Sequence, residues 1–263
     1  MNLLSASAWI AYVLGATVFT HYVRSGSLAV AQLYVKQALS LGDRHQIEQA
    51  YRLLGQRSLR YFERPWPARL GWASLLIATA ILIFSLSTSL LQAWVQFCAL
   101  VILIRLSVQD WTDLMLIERD IAMLGLVGLI GVLCVPGMSQ SPQVVFLGWL
   151  VLFVLYAVAL GLLRLASLFR NRDDAAGARL LGDGDDLLLI VLVLFFGCNV
   201  LWALTIALVL GLVLHPALGR ITGRYPLVPT LTVGCAALFW VPWAASFDLN
   251  RLFLGLFTYL VGP

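Results

Sequence analysis

The chain has 263 residues, of which 61% are hydrophobic and 11% charged, with a formal net charge of +4 and a mean hydropathy of +0.93. Soluble globular chains carry about 25% charged residues, so this composition excludes a water-soluble enzyme, a disordered chain and a secreted disulfide scaffold. With about 20 residues per helical crossing, the expected fold class is an all-α, polytopic integral membrane protein.

The first apolar run covers roughly Leu3 to Val23. Its first positive charge, Arg24, comes after the run, which favours an uncleaved span with its N-terminus outside over a removed signal peptide. Residues 24–69 form the only long polar stretch and carry Arg24, Lys36, Arg44, Arg52, Arg57, Arg60, Arg64 and Arg69 against Asp43, Glu48 and Glu63. Asp43 with Gln46 suggests a capping box, and Ile47, Ala50, Tyr51 and Leu54 follow at helical spacing. This predicts a basic amphipathic helix along the lipid surface, with a substrate-docking platform as the other reading. The chain thus divides into residues 1–69, a first span plus basic segment, and residues 70–263, a membrane-embedded core.

Further spans are predicted near 70–87, 91–109, 120–136 and 144–168, with uncharged connectors at Thr88–Leu90 and Gly137–Gln143. The run Leu187 to Leu214 is long for one crossing, and Gly197-Cys198-Asn199 is a natural break. A last span covers about 229–245, and the tail 252–262 is short enough to lie at the interface. Breaking the long run at Gly197 gives eight spans. Every Arg and Lys except Arg251 then falls in the cytoplasm or at a span end facing it, whereas an unbroken run would move Arg220 and Arg224 outside. That placement accounts for the basic balance better than nucleic acid does. The four cysteines, Cys98, Cys134, Cys198 and Cys235, lie in apolar runs without a C-x-x-C pair, so neither a metal site nor a disulfide framework is expected. His21 and His215 are read as interfacial residues.

Of the 13 acidic residues, nine fall in two short segments, Asp110 to Asp120 and Asp173 to Asp186. Both lie at cytoplasmic span ends in the eight-span layout. Hydrolysing a peptide bond without a metal or a nucleophilic side chain takes two carboxylates sharing one proton. One activates water while the other protonates the carbonyl oxygen or the leaving amine, and two like charges about 3 Å apart do not both ionise cheaply. Glycines beside an Asp allow close approach of backbone, substrate and the opposing helix. Helix capping is the ordinary reading for Asp120 and Asp186, and a solvated loop for Asp173, Asp174 and Asp183. Capping does not account for Asp110, which ends a helix, where the dipole disfavours an anion.

Gly182-Asp183-Gly184-Asp185 matches the G-x-G-D motif of intramembrane-type aspartic proteases. Val108-Gln109-Asp110 followed by Leu116-Ile117-Glu118, and Tyr225-Pro226-Leu227-Val228-Pro229 before the last span, extend the match over about residues 90–245. The chain resembles the type IV prepilin peptidases. It departs from their pattern at three places: Ile117 stands where Pro is usual, Leu187 where Lys is usual, and Val228 where Gly is usual. It also lacks the four zinc-binding cysteines of the family's long form.

The resemblance implies an aspartic endopeptidase of the bacterial inner membrane that removes the leader of a prepilin-like precursor at the cytoplasmic face. Asp110 and Asp185 would be catalytic, supported by Gly182, Gly184, Asp113 and Asp186. Its partners would be a precursor with a basic leader and an apolar helix, and membrane lipid. Arg119 or Arg179 would meet a substrate acid, and the loop containing Gly177 would cover the site or simply connect spans. Proteolysis needs no cofactor; S-adenosylmethionine enters only if the protein also N-methylates its product, as many of the family do. The alternatives are a related G-x-G-D protease with another substrate, and a non-catalytic assembly or cation/proton transport protein using the same carboxylates. No H-E-x-x-H, G-x-S-x-G or Walker pattern occurs.

Overall fold

The structure is a computed structural model that describes residues 6–7, 9–10, 18–63, 66–135, 142–170, 183–222, 227–240 and 248–261. Most of the first predicted span lies outside the described residues, as do Asp173, Asp174, Gly177, Arg179, Gly182, Tyr225 and Pro226. The described residues are helical, with no strand among them. Three helical stretches are long and apolar enough to cross a membrane, Leu90–Asp113, Pro142–Ala159 and Gly184–Val213, and two shorter apolar helices, Ala73–Leu86 and Leu227–Phe239, accompany them. The chain is a helical membrane protein.

After a short helix α1 (Thr20–Arg24), the polar stretch folds into two helices, α2 (Gly26–Leu41) and α3 (Arg44–Glu63). Gly42 closes α2 with a left-handed φ of 69°, and Asp43 starts α3 by accepting a bond from the His45 N–H. Asp43 thus caps α3 through the His45 N–H, in place of the predicted box with Gln46. The expected amphipathic helix does not lie alone: Ile47, Ala50 and Leu54 pack against Tyr34, Val35 and Ala38 of α2.

Helix α4 (Trp66–Leu86) leads through a three-residue connector to α5 (Leu90–Asp113), whose first turn is capped by the Ser89 side chain accepting from Gln92 N–H. Phe19, Phe84, Trp94 and Phe97 interlock edge to face and tie α4 and the start of the chain to α5. Helices α6 (Glu118–Cys134) and α7 (Pro142–Arg170) cover the predicted fourth and fifth spans, and of the two α7 holds a stretch long and apolar enough to cross a membrane, Pro142–Ala159.

The apolar stretch 184–213 is divided. α8 (Asp183–Phe196) ends at a 3-10 turn, Gly197–Asn199, before α9 (Val200–Thr222). Gly197 takes φ 56°, a left-handed value that a side chain would strain. At this end Phe196 stacks on Phe239 of α10 (Leu227–Trp240), with ring centroids 4.8 Å apart. Gly234, which precedes Phe239 on α10, faces the backbone of Ala203. α9 therefore runs back along α10, opposite in sense to α8. The last helix, α11 (Leu249–Val261), is docked on the turn: Asn250 accepts from Cys198 N–H and donates to the Phe196 carbonyl.

Candidate functional site

Asp110 lies in the last turn of α5. Leu114 ends that helix in a left-handed conformation, φ 52°, with its N–H on the Asp110 carbonyl. The Asp110 side chain is buried, and its Oδ2 accepts the Val228 N–H at 2.8 Å. Val228 belongs to the first turn of α10, where backbone N–H groups have no partner within the helix and the dipole is positive. The C-terminal dipole of α5 that disfavours this carboxylate is thus opposed by the N-terminus of α10. The donor is main chain, so the site does not depend on the residue type at position 228.

Asp185 enters from the first turn of α8, half-buried, and its carboxylate is close enough to that of Asp110 for the two charges to repel. Gly184 sits against the connection between α5 and α6: a Cβ there would stand 3.0 Å from Leu116 Cβ. The absence of a side chain at 184 lets α8 approach the Leu116 segment that follows Asp110. Gly182 lies outside the described residues, and the same holds for the side chain of Asp183.

The other two supporting aspartates face elsewhere. Asp113 is gripped by both guanidinium nitrogens of Arg57 from α3, one of them 2.5 Å from Oδ2. Asp186 accepts a bond from the Tyr156 hydroxyl of α7 at 3.3 Å. Of the two acidic clusters, the structure brings Asp110 and Asp185 together and turns Asp113 and Asp186 to separate partners.

Beside this pair is a polar network that the sequence reading did not assemble. Arg105 Nε donates to Asp120 Oδ2 at 2.7 Å, Gln109 Nε2 donates to the same oxygen at 2.5 Å, and Gln109 Oε1 accepts the Ile117 N–H at 3.1 Å. Arg105 also reaches the Tyr22 carbonyl and Ser25 Oγ, and its guanidinium lies 4.3 Å from the Tyr22 ring centroid. Asp120 does stand in the first turn of α6, where the dipole favours an acid, but the capping position is Ile117 and the Asp120 side chain is a buried ion-pair partner. A signal was present, since Arg105 is the only charge between Leu90 and Gln109, and an ionisable residue inside an apolar span has a specific partner by default. Arg119 remains exposed at the start of α6.

The two carboxylates thus approach from separate helices, α5 and α8, one buried and one half-buried. Compared with family models, curated proteins and solved structures, the chain shows no match to any of the three.

Proposed function

We propose that this chain is a membrane aspartic endopeptidase of the prepilin-peptidase type, with Asp110 and Asp185 as the catalytic pair. The observation that carries the reading is their convergence at one end of α5 and α8, with Gly184 giving α8 close approach at Leu116. In the reaction, the ionised carboxylate takes a proton from a water that attacks the scissile carbonyl. The protonated carboxylate donates to the carbonyl oxygen, and a proton then passes to the leaving amine as the C–N bond breaks. The substrate is a prepilin-like precursor, its basic leader on the cytoplasmic side and its apolar helix among the spans. The layout is eight spans in the bacterial inner membrane, with the N-terminus outside and the catalytic pair at the cytoplasmic face.

The three departures from the family pattern are compatible with this chemistry. Val228 contributes its N–H, which any residue except Pro supplies. Ile117 keeps an N–H that Pro would lack and gives it to Gln109, so a hydrogen bond does the stiffening of the 114–117 connection that a ring would do. Leu187 is exposed, directed away from the packed interior. The carboxylates stand at helix ends rather than at mid-helix, where a cation or proton carrier would place them. S-adenosylmethionine enters only if the protein also methylates the new N-terminus, a step to which no residue is assigned.

The test is processing of a prepilin-like precursor in membranes by the wild type, Asp110→Asn and Asp185→Asn. Each variant should lose cleavage while remaining folded in the membrane. Retained cleavage by either variant removes that residue from the pair, and loss only in Asp113→Asn or Asp186→Asn would transfer the role to the neighbouring aspartates.

A further inference from the structure

The α2–α3 hairpin touches α5 at two points that bracket Asp110. On one side Gly26, the first residue of α2, lies so close that a Cβ there would stand 3.1 Å from the Arg105 carbonyl and 3.3 Å from Gln109 Cγ. On the other, Arg57 of α3 holds Asp113 with a two-pronged ion pair and donates a further bond to the Ser27 carbonyl of α2 at 3.1 Å. Asp113 also accepts from Thr112 Oγ1 at 2.7 Å.

Asp113 is three residues beyond Asp110, less than one turn further along α5. It occupies the last turn of α5, where an anion is disfavoured by the dipole, and its side chain is only 5% exposed. A carboxylate there requires a facing cation, and Arg57 provides it in the bidentate geometry that also fixes direction. The next residue, Leu114, is bonded through its N–H to the Asp110 carbonyl. Displacing Asp113 therefore displaces the backbone that aims Asp110.

We propose that Arg57 is a positioning residue: through Asp113 it locks the last turn of α5 to the α2–α3 hairpin and so fixes Asp110 toward Asp185. This assigns the basic segment a role in the site itself, and it rests on the peptidase reading given above. Arg57 touches neither carboxylate of the pair and acts only through the helix end.

The experiment compares wild type, Arg57→Ala, Asp113→Arg and the exchanged pair Arg57→Asp/Asp113→Arg in processing of a prepilin-like precursor, together with amide hydrogen exchange over residues 110–114. Arg57→Ala should lower kcat roughly ten- to a hundredfold, as expected for a displaced catalytic group, with KM within about twofold and faster exchange over 110–114. The exchanged pair should recover most of the lost kcat, which a purely steric role for Arg57 would not allow. Wild-type kcat in Arg57→Ala, a change confined to KM, or an exchanged pair as inactive as the single variants would each overturn the proposal. If the wild type cleaves no such precursor, the peptidase reading fails on its own. Hydrogen exchange then decides the Arg57 lock: faster exchange in Arg57→Ala upholds it, and unchanged exchange overturns it.

Discussion

Arg105 is 3% exposed and its partner Asp120 is fully buried, so neither charge has water to fall back on. Such a pair gives little net stability over apolar residues of similar size, but removing Arg105 leaves the buried Asp120 charge with only Gln109 and the exposed Arg119, 3.6 Å away, and losing a buried partner costs about 3–5 kcal/mol. Arg105→Met should therefore destabilise the protein by about that amount in thermal or denaturant unfolding in detergent. Arg105→Met/Asp120→Asn should recover much of the loss, because the stranded charge is gone while Gln109 keeps an acceptor. A single variant as stable as wild type would show that the ion pair is not what holds these helix ends together. At this scale the sequence reading was right about residue types and weaker on partners. Asp110 was marked by its position at a helix end, and its relief by Val228 N–H was out of reach because the two residues are far apart in the chain. Asp120 reads from the sequence as a first-turn acid favoured by the dipole, and only the packing of α5 on α6 reveals Arg105 as its partner.

Helix packing depends on small residues where backbones meet. Among the described residues the closest such approach is between α10 and α9: a Cβ on Gly234 would stand 2.5 Å from the Ala203 carbonyl oxygen and 2.9 Å from its Cα. Those atoms are main chain and cannot swing aside as a side-chain tip would. In a membrane, van der Waals contact of this kind replaces the hydrophobic drive between helices. Gly234→Ala should therefore cost about 1–3 kcal/mol by overpacking, read as a lower unfolding midpoint in detergent. Gly55→Ala, where a Cβ has nothing within 4 Å, serves as the control. Equal midpoints would mean that α9 and α10 separate without consequence. Among elements, the break at Gly197 was legible because an uninterrupted run would be too long for one crossing and would misplace Arg220 and Arg224. Helix α2 was not, since counting charge over residues 24–69 hides an acid-free stretch. Its buried Ala31, Val35 and Ala38 recur at helical spacing, and Val35 and Ala38 pack against α3.

For the whole molecule, the contacts sort the elements to two ends. Asp110, Asp185, Val228 and the Arg57–Asp113 pair share one end. Phe196, the Gly197 turn, Phe239 and the start of α11 share the other, where Asn199 and Asn250 bind one another's segments through Asp248, Leu249 and Cys198. Helices α8 and α10 both run from the first end to the second, and α5 runs the other way. If that axis crosses the bilayer, the α2–α3 hairpin and the head of α11 face opposite compartments. Lys36 and Arg251 report the two ends, because both are exposed. The positive-inside tendency puts the hairpin, with its excess of Arg and Lys, in the cytoplasm. In spheroplasts, Arg251→Cys should therefore react with a membrane-impermeant maleimide from outside, and Lys36→Cys only after permeabilisation. The unsubstituted protein gives the background from its four native cysteines, three in apolar helices and Cys198 in the 3-10 turn. Labelling of both positions from one side would require an even number of crossings between them and would remove the eight-span layout. Labelling of Lys36→Cys alone from outside would invert it and place the Asp110–Asp185 pair away from the cytoplasm, where a leader bearing basic charge does not reside.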